Sequence, residues 1–223
     1  MRTNNPSGIL SISQNDPDYP PRLWDLFDPP KLLYIYGESR LLRLPMIAIV
    51  GSRIPSQEGI KNAFQFSQAL SKAGFLVISG MARGIDGAAH CGALRLGKAH
   101  STLAVCGTGL DIVYPPEHAS LAQDIGQQGL LVSELAPGIG PRAHHFPRRN
   151  RLIAALCLGV VVIEAAEKSG SLITARLANE LGREIFALPG SINQPLSRGC
   201  HQLIQQGAKL VQNPNDVLDE LHF

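Results

Sequence analysis

The stretch SGMARGIDGAAH, residues 79–90, holds an aspartate and a histidine at a spacing that could support proton transfer. Asp86 and His90 are four residues apart, so in a helix their side chains would share one face and could act as an acid and base pair. A plainer interpretation is favoured, in which Asp86 caps the start of the helix and His90 packs or hydrogen-bonds nearby. The glycines of the stretch indicate a different chemistry, because a glycine-rich turn between a strand and a helix usually binds phosphate.

Loops that follow five apolar runs of the sequence combine glycines with hydroxyls or charged groups. Glycine lets backbone amides approach a ligand closely, and the start of a helix offers unpaired N–H groups and a positive dipole end. If the apolar runs are parallel strands, these loops open on one rim of a sheet, where ligands of such folds bind. The sequence therefore predicts an anion site on this rim, with these candidate residues: Gly51, Ser52, Arg53, Ser79, Gly80, Arg83, Gly84, Lys168, Ser169, Gly170 and Ser171.

The segment PRAHHFPRRNRLIAAL, residues 141–156, concentrates positive charge in a chain whose net charge is only +2. Its second proline suits the first turn of a helix, and guanidinium groups bind phosphate through two parallel hydrogen bonds. Arg142, Arg148, Arg149 and Arg151 are therefore candidate contacts for a phosphate backbone. The alternative is a solvated helix face that carries one or two salt bridges.

Several other classes of site are disfavoured by motifs that the chain lacks. It has neither the GxGxxG of dinucleotide enzymes nor the GxxxxGK[ST] of P-loop nucleotide hydrolases. His144 and His145 have no carboxylate or cysteine at a ligating interval, so we expect no metal ion and no cofactor. The cysteines form no CxxC pair and are expected to be small buried residues in a reducing cytoplasm: Cys91, Cys106, Cys157 and Cys200.

The elements that would position these loops alternate regularly from Met46 onward. Helices are predicted with Ser56, Asp86 and Ser171 as N-caps, at 56–73, 86–96 and 171–181. Continuous apolar runs, typical of parallel strands buried on both faces, lie at 46–50, 75–79, 101–105, 130–134, 159–164, 184–189 and 208–211. The predicted fold class is therefore α/β, a doubly wound, mostly parallel sheet with helices on both faces.

The first 44 residues differ in composition from the rest of the chain. They are rich in Pro, Asp and Asn and contain one plausible strand, KLLYIYG. We predict an irregular N-terminal arm with one strand at 1–44 and the sheet domain at 45–223. The arm is expected to pack on the core through these side chains: Tyr19, Leu23, Trp24, Leu26 and Phe27. No apolar run approaches the length of a membrane span, and MRTNNPSGIL lacks the pattern of a signal peptide.

Six motifs in series resemble the DprA/Smf family of DNA-processing proteins: GSRIPS, SGMARGIDGAAH, GTGLDIVYPPEH, HFPRRNRLIA, EAAEKSGSLITA and ALPGSINQPLSRGCHQLIQQGA. The resemblance runs from about Tyr19 to the end of the sequence. It implies an extended Rossmann-like fold that binds single-stranded DNA without catalysing a reaction. It also implies a cytoplasmic homodimer that protects incoming DNA during natural transformation and helps load the RecA recombinase.

Carried over by position, the resemblance assigns contact with the DNA backbone to Arg53. It implies that the Gly80–Gly87 loop and Ser169–Ser171 shape a phosphate pocket, and that Arg142 and the FPRRNR arginines extend a basic groove. Family members commonly continue into a winged-helix-like domain, whereas this sequence stops at DVLDELHF, so functions of that domain are not carried over. The family's Gly-x-Asn is replaced by Gly199-Cys200-His201, to which no role is assigned.

Two alternative functions remain open on the sequence alone. A nucleoside-monophosphate phosphoribohydrolase of related fold would bind a single phosphate and would use Glu164 as its acid. That class of enzyme carries PGGxGTxxE where this chain has EAAEKSGS, which disfavours it. A small-molecule carrier or sensor would be stabilised by nucleotides without binding DNA.

Overall fold

A computed structural model of the chain describes residues 8–97 and 101–221. The strands in this part of the chain are β1 (Leu10–Ser13), β2 (Leu32–Gly37), β3 (Met46–Val50), β4 (Leu76–Ser79), β5 (Thr102–Val105), β6 (Leu130–Ser133), β7 (Gly159–Val162), β8 (Glu184–Ala187) and β9 (Lys209–Leu210). The helices are α1 (Gln57–Lys72), α2 (Ile85–Leu94), α3 (Ala119–Gln128), α4 (His145–Leu156), α5 (Gly170–Glu180), α6 (Arg198–Gln205) and α7 (Pro214–Leu221).

The nine described strands form one sheet in the order β1-β2-β6-β5-β4-β3-β7-β8-β9. Strands β3 to β9 are parallel to one another, whereas β2 pairs antiparallel with both β6 and β1. From β3 the chain winds outward through β4, β5 and β6, then returns across the sheet to β7 and winds the other way. The predicted doubly wound sheet is confirmed, and its winding direction reverses between β3 and β7.

The central strand β3 is buried on both faces, which explains its continuous apolar run. Ile47 and Ile49 belong to a hydrophobic cluster with residues of α1, α2 and α7. Ala48 and Val50 belong to a second cluster, which includes residues of α4, α5 and α6. Because successive side chains of a strand point to opposite faces, helices that cover both faces require apolar residues at every position. The loops at the strand ends are then left to solvent and to ligands.

Helix starts follow the capping residues of the sequence, with two corrections. Ser56 caps α1 as predicted. The cap of α5 is Ser169, whose Oγ accepts the N–H of Ser171, so the predicted cap Ser171 lies inside the helix. Helix α2 begins after Gly84 and has no side-chain cap, so the prediction that Asp86 caps it is wrong. The sequence patterns did not indicate α3, α6 and α7, which have 10, 8 and 8 residues.

The N-terminal arm joins the sheet through two strands, one more than the sequence predicted. Tyr19 and Leu23 are buried as expected, and Leu26 packs partly buried against the core. Trp24 is 53% exposed, but its ring centre lies 5.5 Å from that of the buried Tyr19, so it packs against the core with part of its surface. Phe27 is fully exposed, and the expected packing is wrong for this side chain. The short 3-10 turn that contains Trp24 buries its Leu23 side, and the extended backbone at Leu26 turns the following residue outward.

The cysteines differ in exposure. Cys157 and Cys200 are buried, as expected, whereas Cys106 is half-buried and Cys91 is exposed, so the expectation is wrong for these two. Cys91 lies between the buried positions of α2, which recur at helical spacing, and it therefore points outward. Throughout residues 8–97 and 101–221, no helix combines the length and apolarity needed to cross a bilayer.

Candidate nucleic-acid interface

A cavity of about 540 Å³ lies where the winding direction of the sheet reverses, between the loops that follow β3 and β7. Ligands of open α/β sheets bind at such a position, outside the carboxyl ends of the strands. The sequence-predicted residues in its wall are Gly51, Ser52, Arg53, Arg149, Lys168, Ser169, Gly170 and Ser171. The structure thus brings the loop after β3, helix α4 and the loop after β7 together around one cavity.

The loop after β3 presents a buried hydroxyl and an exposed cation. Ser52 is buried, and its Oγ accepts the N–H of Ile54 at 3.1 Å. Arg53 is exposed, and its guanidinium carbon lies 5.9 Å from the ring centre of Phe146. In the described part of the chain, no carboxylate forms an ion pair with Arg53, so its positive charge is available to a ligand.

The loop after β7 ends in the N-terminus of α5. Ser169 Oγ accepts the N–H of Ser171 at 3.3 Å, and the two hydroxyl oxygens are 2.7 Å apart. Gly170 is exposed, and no heavy atom lies near the position that a Cβ would occupy, so a ligand can reach its backbone. Lys168 is exposed and has no ion-pair partner among residues 8–97 and 101–221. A helix N-terminus beside an ammonium group favours an anion.

Asp86 is buried beneath the loop after β4 and fixes its backbone. Its Oδ2 accepts the N–H of Gly80 at 3.1 Å and the N–H of Ala82 at 3.3 Å. Burial raises the pKa of Asp86, and the neighbouring Arg149 acts in the opposite direction. The hydroxyl of Ser79 donates to a β3 carbonyl at 2.7 Å, which ties the same loop to the central strand. Asp86 and Ser79 therefore shape the rim from below.

His90 has a partner other than Asp86. Its Nδ1 lies 2.7 Å from Thr102 Oγ1, whose proton goes to the carbonyl of Val77, so Nδ1 is the donor. Burial lowers the pKa of His90 to about 3, which keeps the imidazole neutral. The acid and base pair is therefore not assembled, and the interpretation of His90 as a packed, hydrogen-bonded residue is confirmed.

Arg149 is 6% exposed and forms the floor of the cavity, which corrects its prediction as part of an open groove. Its guanidinium donates to the carbonyls of Gly80 and Val105, and its Nε donates to Asn150 Oδ1 at 3.1 Å. The physical reason is its place on α4, four residues after the buried His145, on the stripe that packs on the sheet. Arg149 thereby joins the ends of β4 and β5.

Two further arginines of α4 are paired with one carboxylate at the end of β6. Arg148 donates from Nε and Nη2 to Glu134 at 3.3 and 3.1 Å, and lies 3.7 Å from Asp28. Arg151 donates to the same Glu134 carboxylate and to the backbone carbonyl of Asp28. A helix face with salt bridges, the alternative interpretation of this segment, therefore describes both residues, and neither lines the 540 Å³ cavity.

The remaining predicted cations lie at the edge of the rim. Arg83 forms an exposed ion pair with Glu117. Arg142 is exposed in the loop before α4, without an ion pair in the described residues, and it does not line the cavity. The positive charge of the rim is thus smaller than the arginine content of the sequence indicates.

Glu164, the candidate acid of the alternative enzyme, accepts hydrogen bonds from the N-cap residue of α1. Its Oε2 accepts the N–H of Ser56 at 2.9 Å, and its Oε1 accepts the hydroxyl proton of the same residue. The carboxylate also packs on Gly59, where a Cβ would collide with it. Glu164 is not among the residues that line the cavity, so the geometry disfavours a catalytic role.

Two aromatic residues were missed as site residues from the sequence: Phe146, which lines the 540 Å³ cavity, and Tyr114, which lies beside it. Tyr114 and Phe146 have ring centres 5.2 Å apart, and both line a smaller cavity of about 80 Å³ together with Arg53, Gly80 and Arg83. The low aromatic content of 5% argued against a stacking platform. The sequence signal that could have identified them is their position, because each aromatic residue lies within one of the motifs that form the predicted rim.

A groove of about 660 Å³ between α5 and α6 is larger than the rim cavity but less suited to an anion. Its lining includes Glu167 and Glu184 as well as cations. Two of those cations are already paired, Arg176 with Glu180 and Arg183 with Asp25. We therefore assign the anion site to the cavity at the strand reversal.

His144 and His145 lie side by side at the start of α4. The rings of His144 and His145 stack edge to face with centres 4.5 Å apart. In the part of the chain that the structure describes, no group of three or more His, Cys, Asp or Glu side chains is placed to hold a metal ion.

The family model of DNA recombination-mediator protein A matches residues 11–222. The chain belongs to this family. DNA processing protein DprA of Streptococcus pneumoniae (strain ATCC BAA-255 / R6) is 49% identical over 213 residues, which cover 96% of this chain and 74% of that protein. Protein Smf of Escherichia coli (strain K12) is 47% identical over 206 residues, which cover 92% of this chain and 54% of that protein. The chain therefore spans about three quarters of one relative and about half of the other.

Solved structures of the family share the fold. The X-ray structure of DNA processing protein A from Streptococcus pneumoniae matches with a TM-score of 0.90 at 49% identity, over 94% of this chain and 73% of that chain. The protein from Helicobacter pylori, whose structure describes a single-stranded DNA binding mode, matches with a TM-score of 0.86 at 32% identity, over 96% and 95%. A molybdenum cofactor binding protein from Rippkaea orientalis, with a TM-score of 0.57 at 16% identity, shares the fold alone. The predicted Rossmann-like fold and DprA/Smf membership are confirmed.

Proposed function

We propose that this chain binds single-stranded DNA at the rim cavity, with phosphates at Arg53, Lys168 and the N-terminus of α5. The observation that carries the proposal is the convergence of these three groups at the strand reversal. Each group attracts phosphate without reading a base, as expected for a site that follows a backbone. The single-stranded DNA binding mode described for the Helicobacter pylori relative supports the same ligand class.

The aromatic pair beside the cavity favours a single strand over a duplex. Phe146 lies under the guanidinium of Arg53 and next to Tyr114, so a ring face borders the phosphate position. A single strand can turn its unpaired bases onto such rings while its backbone follows the cations. A duplex keeps its bases stacked inside and can offer this site its backbone alone.

We infer that the site binds without catalysing a reaction. Glu164 is engaged by the start of α1, and His90 is buried, neutral and bonded to Thr102. The family is that of a recombination mediator. Release of adenine from AMP by the purified protein, abolished by Glu164→Gln, would contradict this part of the proposal.

We infer further that the chain acts in the cytoplasm as a homodimer, protects incoming DNA during natural transformation and helps load RecA. The support is membership of a family described as a recombination mediator. Light scattering of the purified chain tests the dimer. The rate at which RecA assembles on single-stranded DNA, measured with and without this chain, tests the loading role.

The binding proposal is tested by titrating the protein with oligo-dT and with duplex DNA over a range of salt concentrations. We expect tighter binding to the single strand and affinity that falls steeply with salt. Arg53→Ala is expected to weaken binding about tenfold or more and to reduce the salt slope by about 0.7, because one phosphate contact is lost.

The matched control is Arg40→Ala, which removes an exposed arginine in the turn that precedes β3. This turn lies at the amino end of β3, whereas the cavity lies at its carboxyl end. We expect this variant to bind like the unaltered protein. Binding that is absent, that is independent of salt, or that survives Arg53→Ala without change would contradict the proposed site.

A further inference from the structure

We propose that Glu134 is an affinity-determining residue of the DNA site, a counter-ion that withholds Arg148 from phosphate. This inference rests on the proposed function. Glu134 directly follows β6 on the same rim as the cavity, and its carboxylate accepts hydrogen bonds from both Arg148 and Arg151. Arg148 projects to solvent with its side chain 55% exposed, so its guanidinium is within reach of a ligand.

The ion pair of Glu134 and Arg151 is more buried than the ion pair of Arg83 and Glu117 on the same rim. The side chains of Glu134 and Arg151 are each 16% exposed, so their interaction is only partly screened by water. Arg83 and Glu117 are 63% and 46% exposed, and a pair of that kind contributes little. A phosphate can therefore take Arg83 from Glu117 easily, whereas Arg148 has a carboxylate that stays in place.

Asp28 of the arm strengthens this neutralisation. Its carboxylate lies 3.7 Å from Arg148, and its backbone carbonyl accepts a hydrogen bond from Arg151. Two acidic and two basic side chains thus balance at the β6 side of the rim. The charge that a DNA strand meets there is close to zero, although the sequence places several arginines in this segment.

The test compares Glu134→Gln, Arg148→Ala and the double variant in oligo-dT titrations over a range of salt concentrations. Glutamine keeps a hydrogen-bond acceptor for Arg151 and removes the charge. We expect Glu134→Gln to bind about three- to tenfold more tightly at low salt, with a salt slope steeper by about 0.7, because one more phosphate is neutralised. Arg148→Ala alone should change affinity little, but in the Glu134→Gln background it should abolish the gain.

The control is Glu180→Gln, which frees Arg176 on α5 away from the cavity and should leave affinity unchanged. A second variant, Asp28→Asn, removes counter-charge from Arg148 without altering the contact between Glu134 and Arg151, and it keeps the test open if Glu134→Gln fails to fold. It should raise affinity about twofold, because Asp28 is 73% exposed and its charge is screened.

The outcomes separate this inference from the proposed function. If the unaltered protein binds oligo-dT through Arg53 while folded Glu134→Gln and Asp28→Asn bind no more tightly, the inference is overturned and the proposed function stands. A gain in Glu134→Gln that persists in the double variant also overturns it, because Arg148 is then not the cation released. If the unaltered protein binds no single-stranded DNA, both are overturned.

Discussion

Arg149 shows how burial changes the role of a single residue in this fold. This side chain was one of four arginine candidates for phosphate contact in the segment, and it donates instead to the carbonyls of Gly80 and Val105. Beside it, Asp86 accepts two N–H groups of the loop that Arg149 also holds. The two residues act together as a buried clamp, so their effect on a ligand passes through the backbone of the rim.

Replacement of Arg149 by alanine should therefore lower stability and affinity without altering the salt slope. Removing Arg149 leaves the buried carbonyls of Gly80 and Val105 without their side-chain donor and takes a positive charge away from the buried Asp86. A buried polar group left unsatisfied costs about 1–3 kcal/mol in other proteins. Urea unfolding measures the first effect, and oligo-dT titration over salt measures the second. A slope reduced by about 0.7 with stability unchanged would show that Arg149 touches phosphate directly.

At the scale of elements, the site is made by the ends of strands and the starts of two helices. The loop after β3 supplies Arg53, α5 supplies its N-terminus, and α4 supplies Phe146 opposite the Tyr114 loop. Gly107 allows this arrangement, because a Cβ there would meet the ring of Phe146 at 2.9 Å. The rings are therefore set by packing between elements.

Phe146→Ala should weaken oligo-dT binding by about 1–3 kcal/mol, the usual cost of losing one stacked base, and should leave the salt slope unchanged. Phe27→Ala is the matched control, since that ring is fully exposed and lines neither rim cavity. Equal affinities for the two variants would show that no base stacks on Phe146.

At the scale of the whole molecule, the topology brings cationic side chains together at the rim, and ion pairs within the protein reduce the number that can bind phosphate. The winding direction of the chain reverses between β3 and β7. Two loops that are distant in sequence therefore lie next to each other around one cavity. Arg53, Lys168 and Arg142 have no ion pair in the described residues, and Arg83 has a weak one. The other predicted cations are engaged by the protein itself.

The salt dependence of the whole protein should reflect this smaller number of cations. Three to four neutralised phosphates on a single strand give a slope of log affinity against log salt of roughly −2 to −3. If every cation predicted from the sequence contacted phosphate, the slope would be roughly −5. Titration of the unaltered protein distinguishes the two values.

The sequence by itself determined the fold class, most strands, the helix starting at Ser56 and the loops that form the rim. These features depend on local patterns: continuous apolar runs, capping residues and glycines at strand ends. It also identified the family, because the motifs are contiguous and ordered. The short helices α3, α6 and α7 and the strand β1 carried too few periodic residues to be recognised.

Tertiary structure alone decided which charged groups are available. Arg148, Arg149 and Arg151 look alike in sequence, yet one is buried on carbonyls and two share Glu134, which lies in the loop after β6. Asp86 and His90 look like a pair, but each is bonded to partners on different segments. Hydrogen bonds and ion pairs act over a few ångströms in space, and the packing of the helices and loops on the sheet sets those distances; spacing along the sequence does not.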